Sequence, residues 1–313
     1  MSGNSDPTKF RATSGGGRIV HHVTNEDTTL SRCLHKHFGL NDDKIGELIR
    51  LGAVYSNRLR LLEDRKLVRG SYLRIHLQPK RFPIANIDWA AVIVHEERDF
   101  LVVNKPAGIP VHATLDNRQD NLLQQLRDFK QHPLLVTQRL DVGVSGLMVI
   151  AKTPEFQRCF NLQLANRTVQ KRYVALSQTK PGLGNHVHFM EPSERSPKRI
   201  SAEEKPQWLR CELTVHHVAE NALLTAGLTY FESKIELMTG RTHQIRAQLS
   251  ALGSPIVADK MYGSKYTPEF IGAGDSIGLC SVSLGWPKSG KGLKGQWQFQ
   301  APARWKTPGN KVE

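Results

Sequence analysis

The chain has 313 residues, 39% hydrophobic and 23% charged, with a formal net charge of +14 at pH 7. That length accommodates a large domain and a small one, each with its own core. No apolar run approaches the roughly 20 residues of a membrane helix, and the polar first twenty residues lack the apolar stretch of a secretion signal, so neither a membrane protein nor a secreted one is expected.

Residues 1–27 read as a flexible N-terminal segment. Lys9, Arg11 and Arg18 stand against Asp6 alone in the first twenty residues, a balance that organelle transit segments share. Residues 28–80 read as a compact module. A helix over 29–38 places Leu30 and Leu34 on one face and Arg32 and Lys36 on another. Asn41 caps a second helix that opens with Asp42 and Asp43 and runs to Leu51, with Gly52 at its end. Short strands follow at 53–56 and 72–77 around a turn near Asn57. The run LSRCLHKHFGLNDDKIGELIRLGAVYSNRLR resembles an S4 domain, a small RNA-binding module of two helices and a curled hairpin. The resemblance implies phosphate contacts by Arg32, Lys36, Lys44, Arg50, Arg58 and Arg60.

A proline-containing stretch at 78–83 leads into a second domain over 86–305. Strands are expected at 91–95 and 100–104, then a breaker-rich segment at 105–111 and a helix with Leu122, Leu123 and Leu126 on one face. Further strands are expected at 134–138, 146–151, 173–177, 210–218, 223–227 and 234–237. Helices are expected at 155–166 and from His243 onward. Residues 179–207 are long, polar and proline-rich and read as a surface loop; residues 306–313 form a basic tail. Short mixed strands with few helices argue for an α+β fold, not a doubly wound sheet.

Three segments concentrate chemistry. In TQRLDVGVSGLMVIAK, 137–152, a polar loop between apolar strands presents Arg139, Asp141 and Ser145, with Gly143 and Gly146 permitting tight backbone. A loop acid held between buried strands is placed as a catalytic carboxylate requires, although an acid beside glycines also forms turns. In TGRTHQIRAQL, 239–249, Gly240 marks a turn, Thr242 can cap the following helix, and Ile245, Leu249 and Leu252 form its core face. Arg246 lies in the first turn off that face, placed to pair with a carboxylate or a phosphate. In KRYVA, 171–175, Lys171 and Tyr173 project to one face of a strand.

Together these segments resemble the RluA family of pseudouridine synthases. Arg139-Leu140-Asp141 with Ser145-Gly146, Lys171-x-Tyr173, GRTHQIR at 240–246, VNKPAGIPVH at 103–112 and LCSVSLGW at 279–286 match its motifs in order. The family usually has His where Gln138 stands and Thr where Val144 stands. The resemblance implies a pseudouridine synthase fold with a mixed, mainly antiparallel sheet. It also implies isomerisation of uridine in RNA without cofactor, with Asp141, Tyr173 and Arg246 as catalytic residues. Arg139, Lys171, Arg241, His243 and Gln244 would contact the RNA.

Charge and cysteines agree with that expectation. Residues 1–80 carry 14 Lys/Arg against 8 Asp/Glu and residues 288–313 carry 6 against 1, flanking a nearly balanced middle, a pattern suited to a polyanion. Cys33, Cys159, Cys211 and Cys280 are widely separated and the histidines scattered, so no metal and no disulfide are expected. The partner expected is RNA, ribosomal RNA because an S4 module suits a large structured substrate. The chain is expected to be a cytoplasmic monomer, with an organelle as the alternative compartment. A synthase acting on transfer RNA and a non-catalytic assembly factor on a synthase scaffold are the alternative functions.

Overall fold

The computed structural model describes residues 11–12, 18–221, 229–272, 274–288 and 295–303. The strand expected at 223–227 and the tail 306–313 lie outside the described residues. The chain divides into two compact units, residues 1–85 with 112–125, and residues 86–111 with 126–313. No described helix is long and apolar enough to cross a membrane.

The first unit holds two helices, Leu30–Phe38 and Asp42–Leu51. Thr29 accepts from the Arg32 amide at 3.3 Å and Asn41 from the Lys44 amide at 3.0 Å, each satisfying a backbone donor that a helix start leaves over. Gly39 and Gly52 end the helices with φ of 65° and 64°, which glycine adopts without a Cβ clash. The helices close over an antiparallel sheet whose strands, in spatial order, are Arg11–Ala12, Arg18–Val23, Tyr72–His76, Val54–Ser56 and Leu59–Arg60. Leu30, Leu34, Leu48, Leu73 and Ile75 are fully buried, each contributing about 2 kcal/mol by removal from water. Arg18–Val23 corrects the expectation of a flexible segment through residue 27: its backbone pairs with Tyr72–His76 and Val20 packs in the core. Residues 112–125 also belong to this unit, because the Tyr55 hydroxyl donates to Leu115 O at 2.6 Å and Arg81 pairs with the buried Asp120 at 2.6 Å.

The second unit is built on an 11-stranded sheet. Phe100–Lys105 and Ser145–Ala151 are buried at every position, which is why they read as apolar runs without alternation. Every named strand pairing is antiparallel except that of Ser145–Ala151 with Leu279–Pro287, which is parallel. Gln170–Ser177 lies between Leu279–Pro287 and Tyr230–Leu237. The helix Pro154–Ala165, capped by Thr153, packs Phe156 and Phe160 into an aromatic cluster with Phe100 and Trp286.

Two expectations are corrected. Residues 179–207 are not a plain loop: Gly184–Met190 is a strand along Leu209–Asn221, and Ile200–Ser201 pairs beyond it. Burial rises from the exposed Gly184 to the buried Met190 without alternation, so no period of two marked the strand in the sequence. The strand expected at 91–95 begins instead as the short helix Trp89–Val92, because the Asp88 carboxylate accepts from the Ala90 and Ala91 amides; the strand is Ile93–Glu96.

Candidate active site

Asp141 stands on the loop that enters the central strand Ser145–Ala151. The loop is tied down from two sides. Lys105, fully buried at the end of Phe100–Lys105, donates from Nζ to the carbonyl oxygens of Val144 at 2.8 Å, Pro106 at 3.0 Å, and Asp141 and Val142 at 3.3 Å. Burial pushes this ammonium down to about 7, and the ring of carbonyls supplies the acceptors a buried ammonium requires. Opposite, the Ile277 amide donates to Gly143 O at 3.0 Å. Gly143 and Gly146 allow this closeness: a Cβ at either would lie 2.2 Å from a backbone oxygen, Asp275 O and Ser281 O respectively.

The Asp141 carboxylate meets Arg246, whose Nη1 donates to Oδ2 at 3.0 Å. Arg246 is 8% exposed and is held from behind by Asp259, through Nε to Oδ2 at 2.7 Å and Nη2 to Oδ1 at 2.9 Å. A bidentate fork of this kind fixes both position and plane of the guanidinium. Burial works against its charge, but the bonds and charges of Asp259 and then Asp141 outweigh burial and hold it above its ordinary range. The Tyr262 ring packs 5.0 Å from the guanidinium carbon.

His243 adds a third contact, with Nε2 3.7 Å from Asp141 Oδ2. Burial holds this imidazole below its usual value, partly opposed by the Asp141 charge. The Tyr262 hydroxyl accepts from the Lys198 amide at 2.8 Å and lies 3.1 Å from His243 Nδ1. The hydroxyl can give or accept a proton at Nδ1, and which nitrogen of the ring carries the proton follows from that choice. His243 itself starts the helix Gln244–Ala251 with φ 58°. Thr242, expected to cap, does not occupy the cap position.

Tyr173, 8% exposed on Gln170–Ser177, feels the Asp141 charge. Burial, with that charge adding to it, pushes its phenol far above the usual range. Lys171, on the same strand face, is lowered by burial, and its Nζ lies 3.2 Å from where a Cβ on Gly240 would stand. The Lys-x-Tyr and GRTHQIR segments thus meet. Arg139 and Arg241 are exposed.

Several residues expected at RNA are committed elsewhere. Gln244 is 2% exposed; its Oε1 accepts from Thr239 and the Arg241 amide, and its Nε2 donates to Glu212 O and Gln248, leaving no capacity for a ligand. In the first unit, the Arg60 guanidinium donates to Thr114 O at 2.7 Å and lies over the Tyr55 ring, so it braces the fold. Lys44 is half-buried and pairs with Glu47, whereas Lys36, which pairs with Glu26 at the surface, is exposed, as are Arg32, Arg50 and Arg58. The sequence reading missed Asp259 and Tyr262 because nothing in their spacing marks the turn that brings them back to Arg246. Lys105 lay inside a recognised motif, but complete burial of a lysine has no local signature.

Comparison with known proteins bears on this region. Residues 99–251 match the family described as RNA pseudouridylate synthase; Asp141, Tyr173 and Arg246 fall inside the match and Asp259 just beyond it. The chain is 32% identical over 217 residues to RNA pseudouridine synthase 6, chloroplastic, of Oryza sativa subsp. japonica, covering 64% of this chain and 46% of that protein. It is 28% identical over 274 residues to ribosomal large subunit pseudouridine synthase D of Neisseria meningitidis serogroup A, covering 81% and 70%. The chain spans less than half the length of the chloroplast relative. The solved structure of human RNA pseudouridylate synthase domain containing 4 superposes with a TM-score of 0.52 at 21% identity, over 69% of this chain and 90% of that one, a likeness of fold.

Proposed function

We propose that this chain, whose residues 99–251 match the RNA pseudouridylate synthase family, is itself an RNA pseudouridine synthase acting on ribosomal RNA. The observation that carries the reading is the Asp141 carboxylate, bonded to an arginine that a second, buried carboxylate holds in place. The reaction cleaves the N-glycosidic bond of a uridine, turns the base, and joins C5 to the sugar; N1 gains a proton and C5 loses one. A stacked uridine is out of reach, so the nucleotide is flipped into the site. Arg139, exposed on the Asp141 loop, is the side chain suited to fill the vacated space, since a guanidinium stacks and donates at once.

Asp141 is the group that meets the flipped nucleotide. Its carboxylate needs no further base to be reactive, and Arg246 orients it while balancing its charge in a partly dry site. Tyr173 enters as a neutral phenol. With its proton held so firmly it packs on the base and does not act as a standing phenolate. The scheme calls for no cofactor.

The first unit serves, in this reading, as an S4-like RNA-binding module, with Arg32, Arg50 and Arg58 as its phosphate contacts. The name of the Neisseria relative, a ribosomal large subunit synthase, supports ribosomal RNA as substrate. The chain works as a monomer in the cytoplasm, the chloroplast relative supporting an organelle as the alternative. Mapping pseudouridine in ribosomal and transfer RNA from cells lacking the protein tests the substrate. Loss of a ribosomal site is expected. Loss of a transfer RNA site with intact ribosomal RNA would move the substrate to tRNA, and no loss in either pool would favour an assembly factor.

A further inference from the structure

Away from the carboxylate site, the first unit brings three metal-binding side chains together. Val20 and His22 share a face of the strand Arg18–Val23, and Val20 is buried in the core, so His22 turns toward the helix that packs there. Cys33 and His37 are four apart on Leu30–Phe38 and lie on one helix face. The ligand atoms of His22, Cys33 and His37 all lie within 4.8 Å of one another, and the two imidazole rings are 4.4 Å apart between centroids. His22 Nε2 is buried without a hydrogen-bond partner. A buried ring nitrogen without a partner calls for an explanation, and a metal ion supplies one.

We propose that His22, Cys33 and His37 form a zinc(II) site that ties the strand Arg18–Val23 to the helix Leu30–Phe38. One thiolate with two imidazoles suits zinc and is unsuited to calcium or magnesium, which take oxygen ligands. Tetrahedral zinc places such donors roughly 3.3–3.7 Å apart, a closure within reach of the exposed His37 side chain. Water completes the coordination on that side. Binding forms the sulfur–metal bond and releases the Cys33 thiol proton to water. The site closes loops of about ten and fourteen residues onto an N-terminal strand, and its role is to order that strand independently of the chemistry at Asp141. The site has no Cys-x-x-Cys or paired-histidine spacing to mark it in the sequence; its i, i+4 pair is one thiol and one imidazole.

The test uses the full-length chain without a histidine tag, reduced and stripped of metal, titrated with cobalt(II) and then with zinc. One equivalent of cobalt should bind with a thiolate-to-cobalt charge-transfer band that zinc abolishes, and zinc should raise the melting temperature. Cys33 is a core residue and its replacement endangers the fold, so the decisive variant is the exposed His37→Ala. It should weaken cobalt binding at least about tenfold and lose the zinc-dependent stabilisation. A wild-type titration without the charge-transfer band, or binding unchanged in His37→Ala, would overturn the proposal.

Discussion

Arg246 faces two carboxylates of different character. Asp259 is 1% exposed and receives two hydrogen bonds from it, whereas Asp141 receives one and keeps an oxygen for another partner. Asp259 therefore acts through Arg246 as a positioning residue. Asp259→Asn should cost about 3 kcal/mol of stability, since it leaves a buried guanidinium short of charge. It should also lower kcat by about a hundredfold with little change in KM, because only the orientation of Asp141 is disturbed. An equal loss of RNA affinity would instead make Asp259 part of the binding surface. His243 gives a pH signature. Burial depresses its folded value below the ordinary 6.5, so as pH falls through 6.5 the unfolded chain takes up a proton that the folded chain refuses. Stability from this group is present above about 6.5 and lost on acidification. Thermal melts of wild type and His243→Gln between about pH 7 and pH 5 should converge as pH falls; parallel curves would contradict the assignment.

The elements that carry Asp141 explain why the site was partly legible. A glycine-flanked acid before an apolar run could be located from the residues alone, since Ser145–Ala151 is buried on both faces and reads as a continuous apolar strand. What could not be read was how the loop is held. Lys105 reads as an ordinary lysine in a proline-rich segment until the antiparallel pairing of Phe100–Lys105 with Ser145–Ala151 buries it under the loop carbonyls. Thr242 and Gln244 were misplaced for a similar reason: their roles are set by the His243 backbone and by Glu212 on a neighbouring strand. Gly146 should be the least tolerant position here. With φ of 113° and Ser281 O 2.2 Å from any Cβ, Gly146→Ala should destabilise by about 3 kcal/mol or more and open the parallel pairing. Denaturant melts measure it; a cost below about 1 kcal/mol would show that the backbone yields.

At the scale of the whole molecule, the mixed α+β class follows from the runs of short strands, whereas the mainly antiparallel sheet was implied by the family resemblance alone. The seven-residue strand Gly184–Met190 could not be read that way, because its partner 19 residues later makes it a strand. Membership of 112–125 in the first unit likewise depends on long-range bonds such as Tyr55 to Leu115. The uneven charge bears directly on RNA. With Arg60 spent on the fold, the exposed Arg32, Arg50 and Arg58 remain as candidates, and reversing Arg50 and Arg58 to Glu in the full chain should weaken RNA binding. It should also reduce the salt slope by about one per lost phosphate contact. An unchanged slope in a filter-binding series would remove these two residues from the interface.

On the proposed reading, Asp141 performs the chemistry on uridine. This reading is tested most directly by tritium release from 5-tritiated uridine in unmodified ribosomal RNA, with wild type and Asp141→Asn compared at equal RNA occupancy. Release by wild type and a loss of at least about a thousandfold in the variant are expected, with RNA still bound. Equal release by both proteins, or no release by a wild type that binds the RNA, would contradict it.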